Sequence, residues 1–245
     1  MRILVSIKRV IDSATIVRVN DDDTGVKIDN VKMSINPFCE NALEQAIQMK
    51  ENGIANEVIV VTVGSLDSKD ILYMAYAKGA DRAILVENNN VSEPLSVAKI
   101  LKKVVEDETP DLVLMGRQGI DNDNSHTPQM LSALLGWSQL ISVSKMKVDG
   151  NKIVAETSVS NGIQTLSATM PCVISASLSL NEPRYASLPK IMKAKRKKIE
   201  RINIEVEQKN HMTILKVERP IARPAGVRVQ NVSELVAILK EKEVL

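Results

Sequence analysis

The stretch with the residue types and spacing best suited to chemistry is Gly116-Arg117-Gln118-Gly119-Ile120-Asp121-Asn122-Asp123-Asn124-Ser125-His126-Thr127. It joins an apolar run, Leu112 to Met115, to a helix start at Thr127-Pro128. The unpaired N–H groups of such a start, together with the helix dipole, favour an anion such as a phosphate. The loop carries neither a Gly-x-Gly-x-x-Gly fingerprint nor the Walker lysine, which removes the usual support for dinucleotide hydride transfer and for nucleoside triphosphate hydrolysis. Its spacing leaves a nucleotide loop and a merely structural loop both open. His126 could contact phosphate, cap the helix or stay solvated.

Catalytic constellations are thin. The two histidines, His126 and His211, are far apart, and there is no Gly-x-Ser-x-Gly elbow, His-Glu-x-x-His or Cys-x-x-Cys. Cys39 and Cys172 match no metal-ligand spacing, and their sparse use fits a reducing compartment. Asp21-Asp22-Asp23 lacks the alternating acids and closing glutamate of a calcium loop and reads as a solvated turn. General acid–base and nucleophilic catalysis are therefore disfavoured, and no metal site is expected.

Two surface features remain. The run Lys190 to Arg201 is the one true cluster of positive charge, but it lacks the aromatic interleaving of a nucleic-acid surface and reads as a solvated or protein-docking arm. Upstream, Asn181-Glu182-Pro183-Arg184-Tyr185-Ala186-Ser187-Leu188-Pro189 sets an aromatic and an aliphatic residue between two prolines. That arrangement stiffens a loop and lowers the entropy lost when it binds a partner.

These residues need a scaffold. From residue 1 to about 135, short β-branched runs alternate with helical periods, the signature of βαβ units on a parallel sheet. Strands are predicted at Ile3 to Ile7, Val58 to Val63, Ala83 to Val86 and Leu112 to Met115. Helices are predicted at Phe38 to Asn52, opened by an Asn36-Pro37 cap, then at Leu66 to Lys78, Pro94 to Glu106 and Thr127 to Leu135. Asp12 to Ile35 forms an excursion turning at Asp21 to Gly25. After residue 140, hairpin signals at Asp149-Gly150 and Asn161-Gly162 imply antiparallel strands at Lys145 to Val148, Ile153 to Glu156 and Ile163 to Ala168, with a further strand at Val173 to Ala176. Beyond Asn181 the chain reads as irregular and basic until an amphipathic helix starts at Asn231.

In such a sheet ligands sit beyond the carboxyl ends of the strands where strand order reverses, here Ser6 to Arg9, Val63-Gly64 and the loop from Gly116. With hydrophobic residues at 44% and aromatics at only 2%, the core must be aliphatic, and each aromatic is a candidate for a special contact. Thirty-two basic against 30 acidic residues give no global field for nucleic acid or membrane. No run approaches the roughly 18 apolar residues of a membrane span. The amino terminus reads as a strand, so a bacterial cytoplasm or a mitochondrial matrix is the expected location.

Taken together, Val-Ser-Ile-Lys-Arg-Val-Ile-Asp (5 to 12), Ile-Asn-Pro-Phe-Cys-Glu-Asn-Ala-Leu-Glu (35 to 44), Lys-Gly-Ala-Asp-Arg (78 to 82), Asp-Leu-Val-Leu-Met-Gly-Arg-Gln-Gly-Ile-Asp (111 to 121), Leu-Asn-Glu-Pro-Arg-Tyr-Ala-Ser-Leu-Pro (180 to 189) and Lys-Ala-Lys-Arg-Lys-Lys (193 to 198) resemble the β subunits of electron transfer flavoproteins. The ordered set, which runs nearly the whole chain, carries the resemblance. It implies a Rossmann-like, mostly parallel α/β core over residues 1–180 with some antiparallel strands. Residues 181–245 would then be a partner-recognition loop and an extended arm packed on an α subunit. It further implies an FAD shared with that subunit, a structural AMP held here, and redox chemistry belonging to the cofactor rather than to catalytic residues. The implied partners are acyl-CoA-type dehydrogenases and a quinone oxidoreductase.

By position, the resemblance implies nucleotide contacts from Ser6, Asn36, Pro37, Phe38, Cys39, Val63 and the loop Gly116 to Thr127, with Phe38 and Ser13 near the flavin. Tyr185, Leu188 and Pro189 would meet the dehydrogenase, Leu188 as the anchor. The sequence departs from the family at Thr157 to Asn161, where charges facing the α subunit are missing, and at Ser125-His126 in place of Asn-Gln. Asp121 to His126 also lacks the loop that bifurcating relatives use for a second FAD, so AMP is expected. The rivals are such a bifurcating subunit and a stand-alone nucleotide-binding regulatory protein.

Overall fold

A computed structural model describes residues 1–88, 93–206 and 211–245. Among them the chain divides into two compact units, one formed by 1–17 and 27–213, the other by 18–26 and 214–245.

The larger unit is built on a nine-stranded sheet. Its strands are β1 (Arg2–Ser6), β4 (Glu57–Gly64), β5 (Arg82–Glu87), β6 (Leu112–Gly116), β7 (Ser138–Asp149), β8 (Lys152–Val159), β9 (Gly162–Thr169), β10 (Cys172–Ala176) and β11 (Glu200–Ile202), in the order β11-β5-β4-β1-β6-β10-β7-β8-β9. The first seven in that order pair in parallel, and β7-β8-β9 is an antiparallel meander. A separate pair, β2 (Arg9–Ile11) and β3 (Met33–Ile35), is antiparallel and frames the excursion.

Helices α1 (Pro37–Glu51) and α2 (Lys69–Lys78) pack on one face of the sheet, and α3 (Pro94–Glu108) and α4 (Thr127–Leu135) on the other. Short α5 (Leu188–Ala194) packs against α2. The parallel strands read as unbroken apolar runs because both faces are covered. Ile3, Leu4, Val5, Val58, Ile59, Val60, Val61, Leu112, Val113 and Leu114 are all buried. The core is aliphatic as expected, with Phe38 and Tyr76 its aromatic members.

Four expectations need correction. The Leu66 to Lys78 helix opens as a 3-10 turn, Leu66–Ser68, before α2 begins. Asn36 does precede α1, with Pro37 at its first position, but its side chain makes no capping bond, for a reason given below. β7 starts at Ser138 rather than at the expected Lys145, because β10 pairs with it from Cys172 onward. The region after Asn181 is not irregular throughout: α5 forms, and β11 extends the sheet. Polar Glu200-Arg201-Ile202 becomes a strand because Arg82 in β5 ion-pairs with Glu200 and Glu108, the two strands lying side by side.

In the smaller unit, Val19 and Val26 form an antiparallel bridge across the acidic turn, and the Val217 N–H donates to the Asp23 carbonyl. Its helix α6 (Val232–Glu241) starts as expected, with Asn231 accepting from the Glu234 N–H at 2.9 Å while Glu234 accepts from Gln230 N. No residue of α6 is buried, and Val232 and Leu235 stand exposed.

Candidate functional site

The chain runs from β1 outward through β4 to β5 and then returns to place β6 on the other side of β1. Strand order therefore reverses between β1 and β6, the position where an open α/β sheet offers a crevice beyond its carboxyl ends. Ser6 pairs with Val61 on one side and Met115 on the other, so the ends carrying Ser6, Val63 and Gly116 lie side by side. These residues and the loop after Gly116 are brought together as the sequence implied.

What orders the loop is Asn36. Its side chain is fully buried, and its Nδ2 donates to the Gln118 carbonyl at 2.8 Å and to Cys39 Sγ at 3.3 Å while its Oδ1 accepts from Ile120 N–H at 3.0 Å. Oδ1, the atom that would cap α1, is thereby engaged by the Ile120 N–H across the crevice, which explains the absent cap. The first turn of α1 leans on Asn36 through the backbone, Cys39 and Glu40 N–H both donating to its carbonyl. Gly116 permits the close approach: a Cβ there would lie 2.8 Å from Cys39 N and 2.9 Å from Phe38 C, both backbone atoms.

Further along, Lys8 pairs with Asp121 at 2.5 Å, and Gln118 donates to Asp123 and accepts from Ser125. Asp123 and Ser125 hold left-handed backbone at φ +50° and +54°, uncommon for residues with a Cβ and a mark of a constrained loop. Asn122 and Asn124 complete the bend, and His126 sits exposed before α4 without a side-chain cap. Gln129, in the first turn of α4, was missed by sequence reasoning. Its Oε1 is buried without a hydrogen-bond partner among the described residues.

Arg117 turns away from the loop, its backbone N–H on the Ala176 carbonyl and its guanidinium donating to Ser142 Oγ at 3.3 Å. Ser142 occupies a bulge of β7 against β10 at φ +56°, with its N–H on Ser175 Oγ and its carbonyl accepting from Thr157. Phe38 and Cys39 are buried in the first turn of α1; burial pushes the Cys39 thiol up against the opposing effects of Asn36 and Lys8, keeping it a neutral packing group. Ser13 stands apart, exposed in the turn after β2. A groove of about 450 Å³, lined by Val105, Leu134, Leu135, Trp137 and Pro171, sits at the amino ends of β6, β7 and β10, the wrong pole for a switch-point ligand.

Tyr185, Leu188 and Pro189 form a second surface. Tyr185 is 99% exposed and Leu188 71%, while their neighbours are held firmly. Arg184 pairs with Glu44 at 2.8 Å and with Glu51 at 2.5 Å, and Asn41 and Asn181 exchange hydrogen bonds. Burial pushes Glu44 up, but the hydrogen bonds from Arg184 and Gln48 outweigh it and hold the carboxyl below its ordinary value. Among the described residues there is no cluster of His, Cys, Asp or Glu able to hold a metal, and no helix is long and apolar enough to cross a membrane.

Comparison with known proteins agrees with this architecture. The electron transfer flavoprotein domain family matches residues 24–207. The chain is 47% identical to the electron transfer flavoprotein subunit beta of Bradyrhizobium diazoefficiens, covering 99% of this chain and 98% of the relative. It is 48% identical to the mitochondrial subunit beta of Arabidopsis thaliana over 99% and 98%, and 45% identical to the Bos taurus subunit beta over 98% and 97%. A reversing α/β sheet, an ordered loop at its switch point and similarity along nearly its full length place the chain in the electron transfer flavoprotein family, among its β subunits.

Proposed function

We propose that this chain is the AMP-holding half of a heterodimeric electron carrier that takes electrons from acyl-CoA-type dehydrogenases and delivers them to a quinone oxidoreductase. The observation that carries the AMP assignment is the Asn36-pinned loop ending at the start of α4. There the unpaired N–H groups of a helix N-terminus suit a phosphate, and Asn36 holds the loop that leads to them. Ser6, Pro37, Phe38, Cys39, Val63 and residues 116–127 would line the nucleotide, with Asn36 acting through the loop it orders.

FAD, bound mainly by an α subunit, would supply the redox chemistry, and Phe38 and Ser13 would form part of its wall. The exposed apolar stripe of α6 supports an arm that packs on that subunit, since an amphipathic helix gains its stability by covering such a face. Tyr185, Leu188 and Pro189 would meet the dehydrogenase. A bacterial cytoplasm or mitochondrial matrix is the compartment this assigns.

The test is co-expression with the candidate α subunit, followed by stopped-flow reduction of the purified complex by an acyl-CoA dehydrogenase and its substrate. A yellow heterodimer bleached on mixing supports the carrier. A chain that ignores the α subunit and purifies alone would favour a stand-alone nucleotide-binding protein.

A further inference from the structure

The segment from Asn181 to Glu200 is fixed at both ends, and between them it exposes Tyr185 and Leu188. At its far end, Ala194 is buried against α2, Tyr76 donates its hydroxyl to the Lys198 carbonyl at 2.7 Å, and Arg82 grips Glu200. At its near end the grip comes from the polar face of α1. Arg184 makes two-pronged contacts with both Glu44 and Glu51, and even its backbone N–H donates to Glu44 Oε2 at 3.2 Å. The Glu44 side chain is only 4% exposed. A carboxylate so buried requires its partner, so the contact resists opening. One residue further on, Tyr185 is almost wholly in solvent.

We infer that Arg184 is a positioning residue: by locking onto Glu44 and Glu51 it fixes the backbone that presents Tyr185 and Leu188, so the docking surface meets its partner already ordered. A surface ordered beforehand loses less conformational entropy on binding, so more of its contact energy appears as affinity. The inference rests on reading this segment as the dehydrogenase-docking surface.

The test uses the purified heterodimer carrying Arg184→Gln, Glu44→Gln or both. Two readouts are taken: the rate of chymotryptic cleavage after Tyr185, and the KM and kcat for reduction by a medium-chain acyl-CoA dehydrogenase. Tyr185 is the fully exposed aromatic among the described residues, since Phe38 and Tyr76 are buried and Tyr73 and Trp137 partly so, and mass spectrometry of the fragments separates the cut after Tyr185 from cuts after exposed Leu215. Each single variant should be cut about tenfold faster or more, with KM raised several-fold at unchanged kcat and flavin content. The double variant should be no worse than either single, because the residues act as one unit. Wild-type cleavage in Arg184→Gln, or faster cleavage with KM unchanged, would overturn the inference. Should Arg184→Gln fail to fold, Glu51→Gln removes one prong at an exposed position and decides the matter by an intermediate rise in both readouts. Failure of the docking reading itself would show in the unsubstituted complex, as no reduction by the dehydrogenase, before any variant is compared.

Discussion

Replacing Asn36 with alanine removes the two hydrogen bonds that hold the switch-point loop to the start of α1, together with a contact to Cys39 within α1. The two to Gln118 and Ile120 are neutral hydrogen bonds of good length, each contributing about 0.5–1.5 kcal/mol net, and the sulfur contact is weaker. The side chain is fully buried, so its loss also leaves unfilled volume, for a total of about 2–3 kcal/mol. In a domain of this size each kcal/mol moves the melting point by about 2–4 °C, so a fall of roughly 5–10 °C is expected. Calorimetry of the heterodimer with and without added AMP measures it. Because ligand stabilises by RT ln(1 + [L]/Kd), the rise in melting point on adding AMP should be smaller in the variant. Asn36→Asp sharpens the comparison: it keeps the acceptor for Ile120 but sets a carboxylate against the Gln118 carbonyl, and only in acid does protonation restore a donor. A loss under about 0.5 kcal/mol in Asn36→Ala, with the AMP response intact, would refute the clamp.

Other substitutions and conditions probe separate parts of the molecule. Gly116→Ala drives a Cβ against the backbone of Phe38 and Cys39, so α1 must retreat; we expect a loss of about 1–3 kcal/mol, read by thermal unfolding, together with reduced AMP retention. Leu188→Ala removes an exposed apolar anchor and should raise the KM for the dehydrogenase while leaving flavin content and melting point unchanged, an unchanged KM being the contrary result. Glu44 and Glu51 of α1, with Gln48 and Lys190 nearby, face Arg184, and both carboxyls are held below their ordinary value of 4.5. A lowered carboxyl contributes stability that is fully present above the ordinary value and is lost as pH falls through the lowered one. Protection factors of the amides of Asn181, Glu182 and Arg184, that is, exchange rates corrected for their intrinsic pH dependence, should therefore stay high at neutral pH and fall only below about pH 4.5.

Much of the scaffold was legible because its signals are local. Val58 to Val63 and Leu112 to Met115 are continuous apolar runs that only a doubly covered strand explains, and Gly79 and Gly136 end α2 and α4 in left-handed conformations that favour glycine. The loop from Gly116 to Thr127 was legible as a candidate site because a strand end and a helix start bracket it. What escaped was set by distant partners. Asn36 looks like a helix cap because its neighbours are Pro37 and a helix, yet its side-chain amide bonds residues 118 and 120. Glu200-Arg201-Ile202 has no strand pattern and is recruited by Arg82. Arg184 gives no sign in the sequence that its charge faces α1, because Glu44 and Glu51 lie far away in the chain.

The central claim is that the switch-point crevice holds AMP while the flavin is shared with an α subunit. The direct measurement is acid release and chromatography of the nucleotides from the purified heterodimer. We expect one FAD and one AMP per complex. Two FAD and no AMP would mean a bifurcating subunit, and no adenine nucleotide beyond that of a single FAD would contradict the assignment of the loop.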